Sequence, residues 1–211
     1  MSDEANTAGM HDKPLSKGEL ERAAISAKDL DGYEVNPALA TTPASHKTAD
    51  PAACTPVVQA LGGSSGFKAT ARVGRMIFSK KHGPGASMIL SSHGAGDAVR
   101  VIDAFRTAAK KCTTFKDVLV DFRYSEAELQ PDPGYGDESV SLRLTQLAAV
   151  DEDEEPVRVP YTVLAVRQGA TVAMLYAINR PGGPQGEGPA VIPAAIVRTQ
   201  LAKLGKSQPS E

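Results

Sequence analysis

The chain has no tryptophan, and phenylalanine and tyrosine together make up only 5% of its 211 residues. Its core must therefore come mainly from Val, Leu, Ile and Ala, with little left for a platform on which bases could stack. Neither sign of charge dominates. With a formal net charge of −2, no global field draws in nucleic acid or an anionic membrane. Both shortages argue against a nucleic-acid role. No apolar run approaches the roughly 18 residues needed to cross a bilayer. The opening Met1-Ser-Asp-Glu-Ala-Asn-Thr-Ala-Gly9 lacks the basic and apolar regions of a secretory signal. Two histories fit that opening: a cytosolic protein, or a chain from which a processed segment has been removed.

What is present is globular composition in a length that permits one sizeable core. Residues 1–14 are polar and unpatterned and read as a disordered tether, residues 15–205 as one domain and 206–211 as a tail. Ser16 and Glu19 have capping-box spacing, with Leu15 and Leu20 at the staple positions around them, which predicts a first helix over Lys17–Lys28. Asp31-Gly32 turns the chain into a short extended piece, Tyr33–Val35, and residues 36–49 read as a loop. A second helix is expected with Asp50 as N-cap, Pro51 in the first turn and Gly62-Gly63 as the stop; its inward stripe is Cys54, Val57, Val58 and Leu61. The third helix, Asp97–Cys112, is the clearest: Ala98, Val101, Ile102, Phe105, Ala108, Ala109 and Cys112 share one face.

Strands are expected over Thr70–Ser79 and Ala86–Ser92 as a hairpin, then near Asp117–Tyr124, Ser139–Ala149, Val157–Arg167 and Thr171–Asn179. The last hairpin is apolar on both faces, which places it centrally with cover on both sides. The acidic run at 151–155 lacks the glycine and alternation of a calcium loop and reads as a solvated hairpin tip. Pro193–Leu204 makes a closing helix that stops at Gly205. The order gives an α+β fold, an antiparallel sheet of about six strands with helices packed on it.

Cys54 and Cys112 are the only cysteines. As two buried thiols they would suit a cytosolic core. As an inter-helix disulfide they would close a loop of nearly sixty residues, stabilise by about 4 kcal/mol and imply an oxidising compartment. Spacing does not decide between these. The polar leash before a capped helix, common in surface-anchored domains, favours the bridge.

The run Ala24–Val35 resembles the opening of the extracellular sensor domain of actinobacterial membrane Ser/Thr kinases, the PknH-like family, which also includes free-standing lipoproteins. The similarity continues through Ala49–Cys54, the helix Ala104–Cys112, the strand Ser139–Leu147 and Gln200–Leu204. It implies a secreted or lipid-anchored domain with an antiparallel sheet and a ligand cleft. The kinase sensors carry a second cysteine pair that this chain lacks, and no kinase or membrane segment is present. Both departures favour the lipoprotein branch.

Catalytic chemistry finds little support. His11 lies in the tether, His46 in a loop, His82 in a turn and His93 at a strand end, and no Gly-x-Ser-x-Gly elbow occurs. Gly83-Pro-Gly85 and Gly94-Ala-Gly96 fit no phosphate-loop pattern, although the second opens a helix that could meet a small anion. No metal site and no cofactor is expected. Arg72, Arg123 and Arg143 sit mid-strand and are read as one polar sheet face, opposite the second and third helices. That face is either simply solvated or the floor of a cleft for an anionic or sugar-like ligand, with Tyr124 and Tyr161 as walls. The leading expectation is an extracytoplasmic, non-enzymatic binding or sensor domain. It would take an unknown small molecule or cell-envelope component and meet the membrane only through a lipid anchor outside this chain. The alternatives are a cytosolic protein-interaction domain with two reduced cysteines, and a small hydrolase with an unrecognised site.

Overall fold

The computed structural model describes residues 13–40, 43–148, 155–183 and 185–206. The chain order is α1 (Lys17–Ala23), β1 (Tyr33–Ala38), β2 (Ala49–Asp50), a 3-10 turn (Ala52–Cys54), α2 (Thr55–Leu61), β3 (Ala71–Ser79) and β4 (Ala86–Ser92). It continues through α3 (Ala95–Ala109), β5 (Phe115–Asp117), β6 (Arg123–Leu129), β7 (Glu138–Ala148), β8 (Val157–Gln168), β9 (Thr171–Ile178) and α4 (Ala194–Lys206). Among the described residues these nine strands form one sheet, antiparallel throughout, in the order β1-β3-β4-β9-β8-β7-β6-β5-β2.

Helices pack on both faces, and alternation along the strands assigns each face its core. Met88 and Leu90 of β4, Ala173 and Leu175 of β9, and Leu164 and Val166 of β8 point towards α1 and α4. The intervening Val172, Met174, Val163 and Ala165, with Val140, Leu142 and Leu144 of β7, point towards α2 and α3. Strands β8 and β9 are thus central and covered on both sides, as their two apolar faces predict.

The α1 capping box forms as expected: Ser16 Oγ caps the Glu19 amide and the Glu19 carboxylate reaches back to the Ser16 amide. The helix is shorter than its pattern suggests. It ends at Ala23 because Asp29 takes the Ser26 amide and hydroxyl into a turn, while buried Gln200 of α4 accepts from Ile25 N at 3.0 Å and donates to Ala23 O at 2.8 Å. Arg75 adds a bond to Ile25 O and an ion pair with Glu21.

Cys54 and Cys112 are joined in a disulfide across a separation of 58 residues. The bridge is not strictly helix to helix. Cys54 ends the 3-10 turn at the start of α2, and Cys112 lies three residues past the end of α3. Asp50, expected to cap the second helix, lies in β2 paired with Lys116, and α2 starts five residues later without a side-chain cap.

Nine strands replace the expected six because β1 and β2 are edge pieces inside the segment read as mostly loop, and because Asp117–Tyr124 is not one strand. There the Asp117 carboxylate accepts from the amides of Leu119 and Val120 and Asp117 N donates to Phe122 O, which turns β5 back as β6. The closing helix runs through Gly205 to Lys206. Residues 1–12 of the expected tether, 151–154 of the acidic run and 207–211 of the tail lie outside the described residues.

Candidate ligand-binding trough

An α-helix rises 1.5 Å per residue, so the seven-residue α2 is about 10 Å long and spans about two strands at their spacing of about 4.8 Å. A nine-stranded sheet is close to 40 Å wide. Helices α2 and α3 bury the β6–β9 part of their face, and among the described residues no helix covers the β1, β3 and β4 part. The side chains there follow from parity. On β3, Ala71, Val73 and Ile77 face α1, so Met76 and Phe78 face the open side, where they are 41% and 46% exposed. Cross-strand pairing sets Met76 beside Ser87 and Ser87 beside Tyr176.

These residues floor a recess of about 440 Å³ walled by the turns carrying His82 and Arg180. One residue pair along β4, Ile89 floors a second recess of about 470 Å³, bordered by Lys47 and Arg72. Between the two, the edge strand β1 ends its pairing with β3 at Ala38 and Gly74. A Cβ on Gly74 would stand 2.6 Å from Ala38 O and 2.9 Å from Ile89 Cδ1, so only glycine lets the edge strand sit this low.

The first recess, called the trough from here on, is apolar along Met76 and Phe78 and polar at the end that carries Arg180. Tyr161 packs at the rim of the α2/α3 core together with Tyr176. Its phenol is pushed up first by burial and then by Tyr176, and Arg180 partly offsets this. Tyr161 Oη donates to Gln146 Oε1 at 3.0 Å. A third recess of about 300 Å³ separates α2 from α3, with Phe67 on its wall and the Arg100 guanidinium 5.0 Å above that ring.

Beneath the α2–β3 turn, His93 Nε2 and Ser91 Oγ lie 3.0 Å apart. Burial, above all, and the nearby Arg72 charge hold the His93 imidazole below its usual value, against the opposing pull of the Lys68 carbonyl and Asp97. The pair is buried and borders a space of only about 10 Å³.

The structure does not bring the three arginines of the expected polar face together. Arg72 pairs with Ser91, and Ser91 with Val172 of the α2/α3 core, so Arg72 lies on the face that carries α2 and α3. It is buried there and donates to Gly63 O. Arg143 and Arg123 lie on the opposite face, both exposed; Arg143 stands across from Glu128 and Arg123 across from Lys116. Tyr124 stacks on Phe115 and meets Tyr161 edge-on at 6.2 Å inside the α2/α3 core. Burial first, then Tyr161 and Asp117, push its phenol far up. Of the five candidates, none lines the Tyr176 recess and Arg72 borders the second.

Sequence reasoning missed Met76, Phe78, Ser87, Tyr176 and Arg180 as a set. A signal existed in β3, whose Met76 and Phe78 are apolar on the parity opposite Val73 and Ile77. Apolarity on both parities also describes a buried strand, as in β9.

Among the described residues no helix is long and apolar enough to cross a membrane, and no three His, Cys, Asp or Glu side chains group as metal ligands. The architecture defines a class: an antiparallel α+β domain with a helix pair over part of one sheet face and a disulfide between the segments that flank those helices. No protein-family model and no curated protein sequence matches the chain. Among solved structures, the extracellular domain of PknH from Mycobacterium tuberculosis is similar with a TM-score of 0.56, over 93% of this chain and 98% of that one, at 13% identity. That likeness is one of fold.

Proposed function

We propose that this chain is an extracytoplasmic, non-enzymatic binding module of sensor type, the soluble part of a secreted or lipid-anchored protein. In this reading the trough takes an amphipathic ligand with an apolar body and an anionic head. The observation that carries it is the bare stretch of sheet: Met76 and Phe78 stay exposed beside Tyr176 and Arg180, in a recess of ligand size. The disulfide supports an oxidising compartment, and the fold shared with a kinase's extracellular domain supports a sensing role. The Ser91–His93 pair offers a hydrolase no open site, which favours binding over catalysis.

Dodecanoate serves as the probe. Added to non-reduced protein, it raises the melting temperature by several degrees. Phe78→Asp abolishes the rise by placing a charge on the trough floor, and Arg180→Ala weakens binding about tenfold by removing the cation that meets the carboxylate. Both substitutions are at exposed positions and leave the unliganded melting temperature within about two degrees. A titration with no effect, or one indifferent to Phe78→Asp, contradicts the proposal.

A further inference from the structure

The recess between α2 and α3 and the small space beside Ser91 and His93 are neighbours. Ser64, Ser65, Phe67, Val101 and Met174 line both. Phe67 is half-buried in the irregular stretch between α2 and β3, and the Arg100 guanidinium covers its ring from outside. The recess itself is apolar, with Pro56, Val101, Phe105 and Met174 on its walls. Its volume of about 300 Å³ lies at the lower limit of ligand pockets, which run from about 300 to 1,000 Å³.

The space behind Phe67 is polar and incomplete. His93 is 1% exposed, and its Nδ1 has no hydrogen-bond partner. The Lys68 carbonyl lies near enough to act on the ring but closes no hydrogen bond with Nδ1. Leaving a buried ring nitrogen unpaired is costly, and a ligand group that pairs with it relieves that penalty. Arg72, whose charge acts on the His93 ring, borders the same space. No acidic residue lines the recess or this space, and Asp97, which also acts on His93, is paired with Arg100. Ser91 Oγ donates to Val172 O at 3.3 Å, so its proton is already committed. An imidazole nitrogen beside a guanidinium suits a carboxylate. An apolar recess leading to that pair suits a compact ring that carries one.

We propose that Phe67 is a door between the α2–α3 recess and the His93 pocket, and that the joined space binds a compact aryl carboxylate. The ring lies against Val101, Phe105 and Met174, and the carboxylate sits between His93 and Arg72. With the door closed only about 10 Å³ is open beside His93, so entry waits on Phe67 turning outward. That movement disturbs no helix or strand, because Phe67 belongs to neither. The site shares no lining residue with the trough, so it stands whether or not the trough binds a ligand.

The probe is 3-phenylpropanoate, titrated into full-length, non-reduced protein and followed by the NMR signals of the histidine rings. Replacing His11, His46 and His82 in turn with Gln assigns the His93 signals without touching the buried ring. At saturation the His93 signals move and those of His82, on the trough wall, stay. Ala104 lines the recess from α3. Ala104→Trp plugs it and weakens binding at least about tenfold, and Ala104→Leu, a smaller plug that keeps a good helix former, weakens it about threefold. Phe67→Ala removes the door and speeds association at least about tenfold, since binding no longer waits on a conformational change. Phe78→Asp, in the trough, leaves the titration unchanged. The proposal is overturned if the probe does not bind, or if the His93 signals stay put at saturation, as they would if Nδ1 met only a resident water. It is equally overturned if Ala104→Leu binds like wild type, if Phe67→Ala associates no faster, or if Phe78→Asp abolishes binding, which would seat the probe in the trough.

Discussion

On one face of the sheet the seven-residue α2 is held by a covalent bond; on the other the seven-residue α1 is held by hydrogen bonds. Neither helix is long enough to form alone, since isolated helices under about 12 residues are marginal in water. Helix α1 has a complete capping box, a buried amide from α4 and a guanidinium at its C-terminal turn. Helix α2 has no side-chain cap, and its start is tied to the turn after α3 by the Cys54–Cys112 bond. The polar clasp uses directional contacts with the neighbouring α4 and β3. The bond fixes one point and lets α2 sit over a small area, with bare sheet beside it. The trough is a consequence of the second arrangement.

The largest expected effect comes from breaking the bond. The double variant Cys54→Ala, Cys112→Ala loses about 4 kcal/mol of unfolding free energy, enough to lower the melting temperature by about ten degrees. The comparison adds a distribution to that number: amides of α2 and the 3-10 turn lose hydrogen-exchange protection first, while those of α1 and α4 lose it only with global unfolding. Uniform loss across both faces would erase the distinction.

Gln200→Leu tests the other fastening and is expected to cost somewhat less, about 2–3 kcal/mol. It leaves Ile25 N–H and Ala23 C=O buried without partners, while the added apolar surface offsets part of the penalty. Exchange here should speed up at the end of α1 and leave α2 unchanged in the non-reduced protein. A loss under about 0.5 kcal/mol by denaturant titration would show that α1 is held by its apolar face alone.

The sequence announces the polar fastening more clearly than the covalent one. Ser16, Glu19, Leu15 and Leu20 mark the α1 start because capping is local chemistry, written within six residues. The α3 stripe and the two-sided apolarity of β9 are legible for the same reason, as is the β3–β4 hairpin. Gln200 carries no local signal, since its partners lie 175 and 177 residues away. Asp50-Pro51 fits both a helix start and a strand end. Val118-Leu-Val120 has strand composition, and only the reach of the Asp117 carboxylate to two amides makes it a turn. The arginine face failed on parity: Arg72 and Arg143 belong to strands on opposite sides of the centre, and their registers depend on every pairing between them. The trough was the least legible feature, because uncovered sheet depends on how far a helix extends and no residue type marks where cover stops.

Methionine oxidation tests most directly whether one end of the α2/α3 face is bare and available to a ligand. Met76 lies on the trough floor, Met88 under α1 and α4, and Met174 in the core under α2 and α3, the last two buried. Exposure governs sulfoxide formation. On brief treatment of the native protein with hydrogen peroxide, followed by peptide mass spectrometry, Met76 is expected to oxidise at least about tenfold faster than Met88 or Met174. Dodecanoate slows Met76 alone. If Met76 reacts as slowly as Met88, the trough is covered; if it reacts fast but dodecanoate does not protect it, the trough does not bind this class of ligand.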